Sequence, residues 1–162
     1  MKSWVEYWNS DHPIYVNERH RVLHYKLLAR DLVALVPDTD SIVLDFGCGE
    51  ALSADDLASH TRKLMLADAA PNVREKLGTR FNANSRITVL SDAEALALPE
   101  ESVDLVILHS VAQYVPRADF PGLIEKLVAK LRDGGRIVLG DILPPGLPAL
   151  TDALALIRFG FE

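Results

Sequence analysis

The chain has 162 residues, 49% of them apolar and 25% charged, with a formal net charge of −6. That length and balance suit one globular domain with its own core and exclude the charge-rich, apolar-poor composition of a disordered chain. The acidic balance argues against nucleic acid as the main partner, because binders of a phosphate backbone present a basic face.

In chain order, an aromatic N-terminal segment comes first, with Trp4, Tyr7, Trp8 and Tyr15. Tyr25, Leu28, Leu32 and Leu35 then recur at three- and four-residue spacing, which predicts a helix over 14–36 that Pro37 ends. Residues 1–37 therefore divide off as a helical cap or lid, and 38–162 as the main domain. An apolar run over 41–46 predicts a buried strand, and 50–60 a helix directly after Gly47 and Gly49. A second strand is expected over 63–68. A helix over 71–81 follows, with Pro71 in its first turn. A third strand, 86–90, closes on Ser91-Asp92, and a fourth, 103–108, ends at His109. Asp119 is placed to cap a helix with Pro121 in its first turn, a core stripe of Leu123, Leu127, Val128 and Leu131, and Gly134-Gly135 as its stop. A fifth strand over 136–140 and a last helix over 147–161 complete the chain. Apolar strands alternating with helices imply an α/β fold, a doubly wound and mostly parallel sheet of about five strands with helices on both faces. No run of about 18 apolar residues exists, so neither a membrane span nor a membrane partner is expected.

Three carboxylates, Asp45, Asp68 and Asp92, fall at the carboxyl ends of the first three strands, where open α/β sheets bind small molecules. Asp45 precedes the turn Gly47-Cys48-Gly49, whose glycines let the backbone turn sharply and approach a ligand closely. A carboxylate ahead of the glycines suits a ligand with a positive end rather than one led by phosphate. Asp68 follows Gly49 by 19 residues, about where an acid at the second strand's tip meets ribose hydroxyls. A nicotinamide site would need a third glycine where Leu52 stands, and Asp45 would face its pyrophosphate. Cys48 is the lone cysteine, so no internal disulfide forms and a reducing, cytoplasmic setting fits. It has no activating neighbour and reads as a small side chain in a tight turn. His12, His24 and His60 show no metal-ligand spacing, and no metal is expected.

In these segments the chain resembles the class I S-adenosylmethionine-dependent methyltransferases, of the small-molecule type grouped with ubiquinone C-methyltransferases. Val43-Leu44-Asp45-Phe46-Gly47-Cys48-Gly49 matches the family's first motif, and Leu66-Ala67-Asp68 the second. Ser91-Asp92-Ala93-Glu94, Leu98-Pro99 and Ser102-Val103-Asp104-Leu105-Val106 match the third region and the fourth strand. Residues 131–139 match the entry to strand five, with Asp133 in place of the family's proline, and Ala51 stands where many members have a third glycine. The likeness covers about residues 38–143 and implies a Rossmann-like sheet.

The resemblance also implies roles. S-adenosylmethionine would be the cofactor and a small molecule the methyl acceptor. Asp45 would attract the methionine ammonium. Gly47, Cys48 and Gly49 would pass beneath the methionine part and the ribose. Asp68 would accept from the ribose hydroxyls, and Asp92 and the Ala93 amide would meet the adenine. Ala69 and His109 would border the cofactor, with His109 as the candidate general base. On the substrate side, Tyr7, Trp8, Tyr15 and His20 are candidates for a lid, Arg19 for meeting the cofactor carboxylate, and Gln113 and Tyr114 for orienting the acceptor. The family's sheet continues past strand five into a helix and two further strands, whereas this chain stops at Phe161-Glu162. A C-terminally shortened form is therefore expected, with strand five an open edge or the seam of a homodimer. The rival expectation is a methyltransferase-like domain that binds the cofactor or a protein partner without turnover.

Overall fold

The computed structural model of the chain describes residues 18–142. Tyr7, Trp8, Tyr15 and the helix expected over 147–161 lie outside the described residues. Ten principal elements alternate: α1 (Glu18–Val33), β1 (Ile42–Phe46), α2 (Ala54–Ser59), β2 (Lys63–Ala67), α3 (Pro71–Phe81), β3 (Ile87–Leu90), α4 (Asp92–Leu96), β4 (Val103–His109), α5 (Phe120–Val128) and β5 (Leu131–Gly140). The strands form one all-parallel sheet in the order β3-β2-β1-β4-β5. This is the expected doubly wound fold, and its winding reverses between β1 and β4.

Side-chain alternation along the strands builds two cores. Val43, Leu64, Leu66, Leu105 and Ile107 meet Leu32 of α1, Leu57 of α2 and Leu77 of α3 on one face. Leu44, Phe46, Met65, Val106 and Leu108 meet Ala95 of α4 and Leu127 of α5 on the other. Burial on both faces explains why the strands read as continuous apolar runs. Each fully buried leucine contributes about 1.5–3 kcal/mol of transfer free energy.

Helix α3 spans the expected residues and starts on Pro71. Three boundaries differ from expectation. Helix α2 starts at Ala54 rather than 50, because Gly47, Gly49 and Ala51 all hold positive φ, at 77°, 55° and 45°. A right-handed helix cannot begin until the chain leaves that left-handed region. Helix α5 stops at Val128, so Leu131 packs from β5 instead of from the helix, and Asp119 makes no side-chain capping bond. Gly134-Gly135 therefore does not stop the helix but forms an irregularity inside β5. The pairing advances from Val103↔Leu131 to Leu105↔Arg136 across it. Gly134 takes φ 79°, and a Cβ on Gly135 would lie 2.9 Å from the Arg132 carbonyl oxygen. Helix α4 was not expected, although Ser91 and Glu94 form a reciprocal capping box that starts it.

The amino ends of β1, β4 and the edge strand β5 are tied by one carboxylate. Asp104 Oδ2 accepts from the Ile42 amide at 2.7 Å, and Arg132 Nη1 donates to both Asp104 oxygens at 3.0 Å. This tie lies at the opposite end of the sheet from Asp45. Asp104→Ala strands the Ile42 amide and is expected to lower stability by about 1–3 kcal/mol in urea unfolding. A loss below about 0.5 kcal/mol, the range of a neutral surface change, would show that the tie is not structural.

Candidate functional site

Strand order places the reversal point between β1 and β4, and the crevice outside their carboxyl ends is the expected ligand position. A cavity of about 1530 Å³ opens there. It exceeds the usual volume of a single small-molecule site, about 300–1,000 Å³, and so has room for a cofactor and a second molecule. The strand tips line it on one side, and Arg21, His24, Tyr25 and Leu28 of α1 on another.

The turn after β1 is anchored to the end of β2. The Gly47 and Cys48 amides both donate to the Ala67 carbonyl, at 2.8 and 3.1 Å. Gly47 is required for two reasons, its φ and its neighbour, since a Cβ there would sit 2.5 Å from Val111 Cγ2. Gly49 is required by backbone conformation alone, because no atom lies within 4 Å of its virtual Cβ. Ala51 shares the left-handed conformation at φ 45° without being glycine, a strained choice where the family often has glycine. Asp68 braces the turn from the second strand's tip. Its Oδ2 accepts from the Gly49 amide at 3.0 Å and its Oδ1 from the Ala70 amide at 2.8 Å. Arg74 Nη1 donates to the Asp68 and Ala69 carbonyls, both at 2.8 Å, and fixes the segment that leads into α3.

The acids at the strand tips are held in a partly desolvated part of the cavity. Asp45 lines the cavity, yet its carboxylate makes no hydrogen bond or ion pair among the described residues. Desolvation, with Asp68 nearby, pushes its pKa from 3.8 up to about 7. Burial also raises Asp68, against the opposing pull of two amides and Arg74. Cys48 is pushed well above its ordinary range by burial and by the two aspartates, so it remains a neutral thiol and not a nucleophile. Burial lowers His109 below its ordinary 6.5, so its imidazole is neutral at pH 7.

The fold gathers most of the expected site residues. Asp45, Gly47, Cys48, Gly49, Asp68, Ala69, Asp92, His109, Gln113 and Tyr114 all line the one cavity. Ala93 is exposed in the first turn of α4 and does not line it, and Arg19 is exposed on α1 and does not line it either. Arg21 takes that place, 3.6 Å from Glu50. Met65 is core rather than lining. Ser110 and Asp141 also line the cavity and were not anticipated, because neither belongs to a motif and only the β4–β5 pairing brings them together. Among the described residues, no group of three or more His, Cys, Asp or Glu side chains could hold a metal, and no helix is long and apolar enough to cross a membrane.

Residues 44–139, more than half the chain, match the family model described as a methyltransferase domain. Nodulation protein S of Rhizobium tropici is 27% identical over 127 residues, covering 77% of this chain and 52% of that protein. An uncharacterized methyltransferase of Mycobacterium bovis is 29% identical over 126 residues, covering 77% of this chain and 61% of that protein. The chain thus spans little more than half the length of these curated relatives. A phosphoethanolamine N-methyltransferase of Haemonchus contortus, solved with phosphoethanolamine and S-adenosylhomocysteine, superposes with a TM-score of 0.70 at 23% identity. That superposition covers 88% of this chain and 31% of the other, and it shows the shared fold. By sequence and by fold the chain belongs to the class I S-adenosylmethionine-dependent methyltransferases.

Proposed function

We propose that this chain binds S-adenosylmethionine at the tips of β1 to β4 and transfers its methyl group to a small-molecule acceptor. The observation that carries this reading is Asp45, a desolvated carboxylate that lines the cavity and has no partner among the described residues. An isolated carboxylate is costly to bury and favours a cation. The ammonium of the methionine part supplies one. Asp68 suits the ribose: each of its oxygens spends one acceptor position on a backbone amide and keeps another for a hydroxyl. Asp92, which lines the cavity at the start of α4, suits the adenine edge, whereas Ala93 lies outside the lining. Gly47 and Gly49 present bare backbone over which the cofactor lies.

The cofactor, when bound, supplies a methyl group already activated on a sulfonium. The protein's part is then positioning and exclusion of water. Gln113 and Tyr114, on the loop after β4, face the same cavity and border the acceptor. His109 is the neutral base within that cavity.

S-adenosylmethionine or S-adenosylhomocysteine is expected to raise the melting temperature of the protein, and Asp68→Ala to abolish the rise. No shift with either compound at millimolar concentration would overturn the cofactor assignment. The pH dependence has a definite sign. Asp45 holds its proton up to about 7 in the folded protein and to 3.8 otherwise, so the protonated form adds stability that is full below the lower value and lost through the upper one. A bound ammonium favours the carboxylate and must expel that proton. Cofactor affinity is therefore expected to weaken about tenfold or more between about pH 7.5 and 5.5, and Asp68 adds in the same direction. Calorimetric titrations at the two pH values check this, and Asp45→Asn is expected to bind weakly with little pH dependence.

A further inference from the structure

The tips of β4 and β5 carry an arrangement that cofactor binding does not require. The Ser110 amide donates to the Gly140 carbonyl at 3.0 Å, holding the two strand exits side by side. Ser110 and Asp141 both lie in the left-handed region, at φ 58° and 50°, although neither is glycine. Such conformations persist only where surrounding contacts impose them. Here the contact is a hydrogen bond from the Ser110 hydroxyl to Asp141 Oδ2. The same hydroxyl oxygen lies 3.2 Å from His109 Nδ1.

A serine hydroxyl has one hydrogen. With that hydrogen on Asp141, the Ser110 oxygen can only accept from His109, so Nδ1 carries the ring proton. The imidazole is neutral because partial burial disfavours its charge more than Asp141 favours it. Its lone pair therefore resides on Nε2, which has no hydrogen-bond partner among the described residues. Gly140 holds the ring from its other side, since a Cβ there would come within 2.6 Å of His109 Cδ2. Among the described residues the His24 imidazole also lines the cavity, with its ring centroid 6.3 Å from that of His109.

We infer that Ser110 and Asp141 are positioning residues that fix His109 as the Nδ1–H tautomer and present its Nε2 lone pair to the cavity. The consequence for chemistry rests on the methyltransferase reading. A lone pair so placed suits an acceptor that carries its own N–H or O–H. As the acceptor's electron pair bonds to the methyl carbon, the old methyl–sulfur pair stays on sulfur and the acceptor proton passes to Nε2. The resulting imidazolium is stabilised by Asp141 through the Ser110 hydroxyl, and the proton then leaves to solvent.

The test needs no cofactor, so a failure of the methyltransferase reading and a failure of this inference are separable. Full-length protein labelled with nitrogen-15 at histidine gives two-bond proton–nitrogen correlations that report the tautomer of each ring, and His109→Gln assigns the His109 signals. Native protein is expected to show His109 as Nδ1–H. Ser110→Gly keeps a residue at ease with the left-handed backbone while removing the hydroxyl, and is expected to move His109 toward a mixture of tautomers. Asp141→Asn keeps an acceptor for the hydroxyl, and is expected to retain the tautomer while lowering the pKa of the ring. A native Nε2–H tautomer, or a Ser110→Gly spectrum with His109 unchanged, would overturn the inference. The first of these readings is decisive even if the variant does not fold.

Discussion

Asp68 is one side chain on which two separate parts of the site converge. Its two oxygens receive the Gly49 amide from the turn after β1 and the Ala70 amide at the start of α3. Those bonds hold two loops from adjacent strands at a fixed separation, and Arg74 ties the same segment down from α3 through two carbonyls. A parallel sheet delivers its strand ends to one edge but does not by itself orient the loops that leave them. Here the orientation comes from a charged acceptor shared between the loops, and hydrogen bonds to a charged group are stronger than neutral ones. The site is thus built from the same group that is suited to meet the ligand.

The pocket keeps its acids close without neutralising them. Burial raises both Asp45 and Asp68, Asp68 adds to the pressure on Asp45, and Asp92 adds to the pressure on Asp68. Arg74 spends its guanidinium on backbone carbonyls and only partly offsets the charge. Such an arrangement disfavours the empty, ionised state. It gives a cation a binding advantage that a pocket of paired charges would not offer. The neutral Cys48 thiol between the glycines follows from the same field.

Much of this was legible in the amino-acid sequence. Continuous apolar runs ending in Asp45, Asp68 and His109 identify parallel strands and their carboxyl tips, and Pro71 marks the start of α3. What stayed hidden depends on partners distant in sequence. The late start of α2 follows from Ala51, whose positive φ no residue type announces. The role of Gly134-Gly135 depends on β5 pairing against β4 with a shifted register, so the pair read as a helix stop. Ser110 and Asp141 are 31 residues apart, and nothing short of the β4–β5 ladder brings them together. Asp104 looked like an ordinary motif residue, yet it clamps the far ends of three strands. The Ser91–Glu94 capping box was readable and marks α4.

Gly47 has a consequence beyond the turn that it makes. Its α-carbon is the surface against which Val111 rests, and Val111 opens the short turn of helix that carries Gln113 and Tyr114. The turn after β1 and the loop after β4, which both line the cavity, therefore share one point of mechanical contact, with no slack for even a methyl group. A side chain at position 47 would push apart two loops that line the same cavity, so the shape of that cavity depends on clearance at a single hydrogen atom.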